Sequence, residues 1–79
     1  FIELSPDYAI VELPLPNVWQ DKTLAEIGVR KQFGINVLAV RRGEKEIQVS
    51  PQAEFLLKHG DVLIVVGKNQ NIRKLEKLP

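Results

Sequence analysis

The stretch from Thr23 to Arg42, TLAEIGVRKQFGINVLAVRR, does most to limit what this chain can fold into. Thr23 followed by Glu26 fits a capping box, in which the hydroxyl accepts from an orphan helix N–H and the Glu reaches back to the cap. Leu24 and Ile27 give this first helical piece a short apolar face. Gly28 weakens or ends it, because glycine enters left-handed conformations freely. Val29 to Phe33 continue the helix, carrying Arg30, and Gly34 is a left-handed stop. Ile35 to Val40 then read as a strand with alternate faces Ile35, Val37, Ala39 and Asn36, Leu38, Val40. Both faces are largely apolar, so a buried strand is expected, with Asn36 its one polar interruption.

The remainder completes an α+β order of strand, helix, strand, strand, strand, helix. Phe1 to Leu4 can be a short strand or the end of a linker, and Ser5-Pro6-Asp7 is a turn signal. Tyr8 to Leu13 is rich in apolar and β-branched residues and reads as a strand. Pro14 and Pro16 lack backbone donors, which places this end at a sheet edge or outside the sheet. Arg41 to Lys45 read as a hairpin-like turn and Ile47 to Val49 as a short strand. Ala53 to Lys58 are expected to form a helical turn. Val62 to Val66 is an unbroken apolar run closed by Gly67, which fits a central strand. Asn69 to Leu78 reads as a helix with Ile72, Leu75 and Leu78 on one stripe.

Size sets a further limit. A chain of 79 residues with no Cys has at most one small core and no disulfide to support it. With one His and no Cys, a structural zinc site is not expected. Oligomerisation is the expected source of extra stability. The net charge of +1 gives no reason to expect a polyanion partner. No apolar run approaches the length of a bilayer crossing, and no signal peptide is visible. A start at Phe1 rather than Met suggests a piece of a longer protein.

Few residues point to chemistry. His59 precedes a Gly-Asp turn, where exposed structure is the ordinary role. Ser5 and Ser50 both precede Pro and lie outside any nucleophile-elbow pattern. No carboxylate pair stands out, so no enzyme is expected, and Asp61 fits a turn-supporting role. Neither a G-x-G-x-x-G nor a Walker sequence occurs. The basic pairs Arg30-Lys31, Arg41-Arg42 and Arg73-Lys74 are dispersed with little aromatic interleaving, so they read as solvated charges and not as a nucleic-acid surface. Arg30 and Asn36 differ in kind. A guanidinium is a planar fork suited to phosphate, and an amide on an apolar strand face needs a partner. On spacing alone two readings stay open. Either Asn36 bonds nearby backbone while Arg30 points to solvent, or the two hold an anion beside an apolar surface.

AIVELPLP, K-T-L-A-E, F-G-I-N-V-L-A-V-R-R, the later S-P, and H-G-D-V-L-I-V-V-G together resemble the regulatory domain called RCK-C or TrkA-C. The resemblance covers nearly the whole chain, and V-R-K-Q-F-G-I-N-V is similar to the KtrA branch of the Ktr potassium uptake systems. It implies a small, mainly antiparallel sheet with two or three short helices, forming a two-fold dimer in a gating ring. It implies residues 1–79 as one domain of a longer protein, following a nucleotide-binding RCK-N domain that would take ATP or ADP. The other implied partner is an integral membrane potassium-translocating subunit, which would hold the protein at the cytoplasmic face of the plasma membrane. In that branch the domain receives cyclic di-AMP across its dimer interface and inhibits potassium uptake; no resident cofactor is implied. Carried over by position, Arg30 and Asn36 match polar ligand contacts. Leu24, Ala25 and Ile35 match apolar positions near the adenines, with Val37 and Pro51 as further candidates. The alternative is a structural dimerisation module, or a domain of this family sensing a different small ligand.

Overall fold

In the computed structural model, which describes residues 1–79, five strands form one antiparallel sheet in the order β1-β2-β5-β3-β4. The strands are β1 (Ile2–Glu3), β2 (Tyr8–Pro14), β3 (Asn36–Arg42), β4 (Glu46–Val49) and β5 (Val62–Lys68). Helices α1 (Leu24–Ile27) and α2 (Val29–Phe33) connect β2 to β3, and α3 (Asn69–Glu76) follows β5. Val62 to Lys68 take the centre because their alternate residues are apolar on both faces, so neither face needs water. Pro14 ends β2 opposite Val62, where its missing N–H interrupts nothing.

The inner face of the sheet carries Ala9, Val11 and Leu13 from β2, Leu63 and Val65 from β5, and Val40 from β3. Val29 of α2, Ile72 and Leu75 of α3, and Trp19 close this core. Trp19 meets Phe33 edge to face with ring centroids 5.6 Å apart. The α3 stripe arises from the expected spacing, although the helix itself ends at Glu76. Trp19 reaches the core on a 3-10 turn at Asn17–Trp19, which the sequence pattern did not suggest.

The outer face has no second layer. Ile2, Tyr8, Ile47 and Val49 lie exposed there, and Ile10, Ile64 and Val66 are half-buried. Its polar relief is an ion pair between Arg41 and Glu12, which spans β5.

Three expectations need correction. The β3 strand is not buried on both faces, since Asn36 and Leu38 are exposed. A bulge at Leu38 also breaks its alternation: Val37 pairs with Val65 but Ala39 pairs with Ile64. The extra residue rotates the strand, so Val37 and Ala39 point to opposite faces. Arg41 and Arg42 belong to β3, and the turn is confined to residues 43–45. Residues 53–58 form no helical turn. Their carbonyls instead serve α1: Leu24 N–H donates to Phe55 O at 3.3 Å, and Ala25 N–H donates to Ala53 O at 2.9 Å.

Candidate functional site

The local chain from Thr23 to Asn36 builds most of one groove. The capping box forms as its spacing predicts, with Glu26 N–H to Thr23 Oγ1 at 3.1 Å and Thr23 N–H to Glu26 Oε1 at 2.9 Å. Glu26 carboxyl acidity is strengthened by the bond from Thr23 N–H and by the Thr23 hydroxyl, which outweigh the small desolvation. Gly28 adopts φ 66° and both ends α1 and starts α2. Gly34 repeats that conformation at the end of α2, again with φ 66°, and turns the chain into β3. This second stop brings Asn36, at the start of β3, within reach of Arg30 on α2.

Arg30 Nε donates to Asn36 Oδ1 at 2.9 Å. The first of the two sequence readings therefore does not hold: Asn36 bonds the Arg30 side chain and not backbone, and Arg30 does not simply point to solvent. Both are exposed. Nε is the engaged nitrogen, so the terminal nitrogens keep their donors. Asn36 presents its Nδ2 donors in the same way, because its oxygen is the atom that accepts. The pair holds each head group in place while leaving unspent donors.

Around this pair lies an open groove of about 700 Å³. All seven residues singled out from the sequence line it: Leu24, Ala25, Arg30, Ile35, Asn36, Val37 and Pro51. They differ in how they take part. Arg30, Asn36 and Ala25 are exposed, whereas Leu24, Val37 and Pro51 are half-buried. Ile35 is fully buried and supports the floor from the core side. Sequence reasoning missed Lys31, Leu38, Ser50 and Ala53, which also line the groove. Lys31 was visible as the neighbour of Arg30 but was set aside with the dispersed basic pairs. Leu38 arrives through the bulge, and Ser50 and Ala53 through a long connection, so no local spacing announces them.

The lining includes two cations and no carboxylate. Such a groove favours an anion, and its apolar remainder suits a flat ring. Ser50 holds a left-handed φ of 51° immediately before Pro51. That conformation is unfavourable for a residue preceding proline and marks a backbone held by its surroundings. The holding bond is Ser50 N–H to Leu38 O at 2.8 Å, at the bulge.

The remaining candidates fall elsewhere. His59 is exposed, with Nδ1 2.9 Å from Gln20 Nε2. Asp61 supports its turn as expected, accepting Lys58 N–H at 2.8 Å. Arg42 is no solvated charge: its Nε and Nη2 meet Asp61 Oδ1 and Oδ2 at 2.8 and 2.7 Å. No helix is long and apolar enough to cross a membrane.

The family model of the TrkA-C domain matches residues 8–79. The Ktr system potassium uptake protein C of Bacillus subtilis is 36% identical over 77 residues, covering 98% of this chain and 34% of the relative. Protein A of the same system and organism is 30% identical over 76 residues, covering 96% of this chain and 34% of the relative. The chain thus spans about a third of the length of these relatives. Among solved structures, the RCK C domain of potassium transport protein KtrA, in complex with cyclic di-AMP, superposes with a TM-score of 0.83. It is 34% identical, and the match covers 89% of this chain and 81% of that one. The GsuK RCK domain is 29% identical with a TM-score of 0.79, covering 94% of this chain and 16% of that one. With the family model matched over residues 8–79 and the KtrA domain superposing over 89% of the chain, this chain belongs to the TrkA-C (RCK-C) family.

Proposed function

We propose that this chain is the cyclic di-AMP-sensing domain of a potassium-transporter gating ring, and that ligand binding on the dyad of its dimer inhibits potassium uptake. The observation that carries this reading is the Arg30–Asn36 pair, fixed at 2.9 Å with spare donors on the rim of an acid-free, partly apolar groove. The KtrA domain solved with the same ligand supports it, at 34% identity.

The chemistry is direct. Cyclic di-AMP has two-fold symmetry and two phosphates, and a two-fold dimer offers two copies of each contact. Arg30 of each protomer donates from its terminal nitrogens to one phosphate through charge-assisted bonds. Asn36 Nδ2 donates to a ribose-phosphate oxygen or an adenine acceptor. Leu24, Ala25 and Pro51 cover adenine, while Val37 and the buried Ile35 support the floor. The groove is open on one side, which a second protomer closes. The uncovered apolar outer face of the sheet also favours pairing, since exposed apolar surface gains by burial.

A ligand shared between protomers favours the dimer geometry it fits best. We place an RCK-N domain before this one, with ATP or ADP bound there. Through it the dimer geometry reaches a membrane potassium-translocating subunit at the inner face of the membrane.

Calorimetric titration of cyclic di-AMP into the chain tests the reading. Saturable binding at about one ligand per two chains is expected of a site on the dyad. Arg30→Ala should weaken it by about 1.5–3 kcal/mol, the net value of a charged hydrogen bond, with an unchanged fold by circular dichroism. Unaltered binding by that variant would remove Arg30 from the site. A dimeric sample that binds nothing would leave a structural dimerisation module, or a sensor of another ligand.

A further inference from the structure

The connection from Ser50 to Asp61 contributes the Ser50, Pro51 and Ala53 wall of the groove, yet contains no helix or strand. Such a segment needs external fixing, because nothing in its own backbone ladder resists displacement. Two sets of bonds supply it. On one side, the connection lies along α1. Leu24 and Ala25 N–H, two of the donors every helix start leaves unsatisfied, bond to Phe55 O and Ala53 O. Leu57 N–H also donates to Lys22 O at 2.9 Å.

On the β3 side, Ser50 N–H donates to Leu38 O at 2.8 Å at the start of the connection, and further along stands one side chain, Arg42 at the end of β3. Its Nη2 donates to Leu56 O at 3.0 Å and to Asp61 Oδ2 at 2.7 Å, while Nε donates to Asp61 Oδ1 at 2.8 Å. Its guanidinium carbon lies 5.2 Å from the centre of the Phe55 ring. A single planar group therefore grips the connection at residues 55, 56 and 61. Asp61 in turn holds Lys58 N–H, so the grip extends along the segment.

We infer that Arg42 is a positioning residue for the ligand groove: by clamping the Ser50–Asp61 connection from the β3 side, it sets where the Pro51–Ala53 wall stands relative to the Arg30–Asn36 pair. Arg42 itself does not line the groove. The role needs arginine, because a lysine ammonium lacks the fork that reaches a carboxylate edge-on and a carbonyl at once. As a statement about affinity, the inference rests on the groove being the cyclic di-AMP site; as a statement about the wall, it stands without that.

The test uses Arg42→Lys, which keeps the charge and the stem, alone and combined with Pro51→Gly or Arg30→Ala. Titrations with cyclic di-AMP are run where circular dichroism shows every variant folded. Arg42→Lys should weaken binding about tenfold, within the range that coupled neighbours show. If Arg42 works through the wall, adding Pro51→Gly should cause less than the product of the two single effects, whereas adding Arg30→Ala should multiply in full. General loosening of the fold would not produce that contrast. Amide hydrogen exchange supplies a readout that needs no ligand. In Arg42→Lys, the Leu24 and Ala25 amides should exchange faster while the β5 amides keep their protection. Wild-type affinity in Arg42→Lys, full multiplication with Pro51→Gly, or unchanged Leu24 and Ala25 exchange would each overturn the inference. Should the unsubstituted chain bind no cyclic di-AMP, the ligand assignment falls, and the exchange result alone decides whether Arg42 holds the wall.

Discussion

Removing Arg42 should destabilise the fold more than removing the charge of its partner, and the reason is where each group sits. The Asp61 side chain has 0% of its surface exposed, against 40% for Arg42. Arg42→Met keeps the aliphatic stem near Phe55 but leaves the Asp61 carboxylate with Lys58 N–H as its remaining donor. Stripping one partner from a buried ion pair costs about 3–5 kcal/mol, because a charge stays in place without compensation. Asp61→Asn strands the guanidinium instead, but that group can turn to water. The new amide oxygen can still accept Lys58 N–H. The loss is then nearer the net worth of a charged hydrogen bond, about 1.5–3 kcal/mol. Arg42→Met should therefore be the less stable variant by about 1.5–2 kcal/mol, the difference between corresponding ends of those two ranges. Urea denaturation followed by the fluorescence of buried Trp19 measures this, with equal m-values required for the comparison. Equal stabilities, or a less stable Asp61→Asn, would refute the argument from exposure.

The same pair sets a pH dependence. Burial pushes the Asp61 carboxyl up, but the Arg42 hydrogen bonds, Lys58 N–H and the Arg42 charge together hold it below the usual carboxylate range. A carboxyl lowered on folding contributes stability that is present above its unfolded value, about 3.9. That contribution is lost as pH falls through the lower folded value. In Arg42→Met the burial effect loses its main opponent, so the carboxyl rises and its cost is relieved earlier on acidification. The stability gap between wild type and Arg42→Met should thus be full at neutral pH and shrink as the solution is acidified. A gap that stays constant down to about pH 3, below the unfolded carboxyl value, would show that Asp61 is not the group concerned.

Three further substitutions test the local geometry. Thr23→Ala removes the hydroxyl that caps Glu26 N–H and should lower stability by about 1 kcal/mol in the same urea assay; no change would mean the box contributes nothing. Gly34→Ala forces a Cβ into a left-handed residue, φ 66°, and 3.1 Å from Asn71 Nδ2. It should cost about 1–2 kcal/mol and weaken ligand binding as well, since this turn places Asn36 within reach of Arg30. Gly67→Ala sets a Cβ 3.0 Å from Ile35 Cγ1 and should cost about 1–3 kcal/mol by overpacking. Ile35→Val in the same chain should recover part of that loss, and failure to do so would point to the nearby Gly34 carbonyl.

Most of the groove was readable because it is local. The capping box, the two glycine stops and the strand that follows bring Leu24, Ala25, Arg30, Ile35, Asn36 and Val37 together within one short stretch. Residue types at those spacings dictate their own conformations, so little long-range information was needed. As site residues, spacing alone singled out only Arg30 and Asn36; Leu24, Ala25, Ile35, Val37 and Pro51 were reached through family resemblance, and Pro51 lies on a connection that has no periodicity. The bulge at Leu38 was invisible for a different reason: it exists in the pairing of β3 with β5, and neither strand records it alone. Arg41 and Arg42 look alike in sequence, but one faces Glu12 across the sheet and the other grips Asp61. Which neighbour does which follows from strand register, and the bulge sets that register.

The failed expectation of a helical turn at residues 53–58 leads to the same point. Those residues form no helix of their own, and two of their carbonyls, Ala53 and Phe55, instead accept from Ala25 and Leu24 at the start of α1. The bonds that cap the helix are therefore also the bonds that join the two walls of the groove. A ligand pressing the walls apart would uncap α1, and one drawing them together would shorten those bonds. Strain at the groove thus reaches a helix start directly, and Arg42 opposes it from the far side of the connection. A domain of this size has few places to store such strain. A ligand-dependent change in dimer geometry would then be taken up either at the dimer interface or in the joint between α1 and the connection. The exchange rates of the Leu24 and Ala25 amides, measured with and without cyclic di-AMP, decide between those two sites. Rates that stay equal in a ligand-saturated dimer place the change between protomers, and altered rates place it in the joint between α1 and the connection.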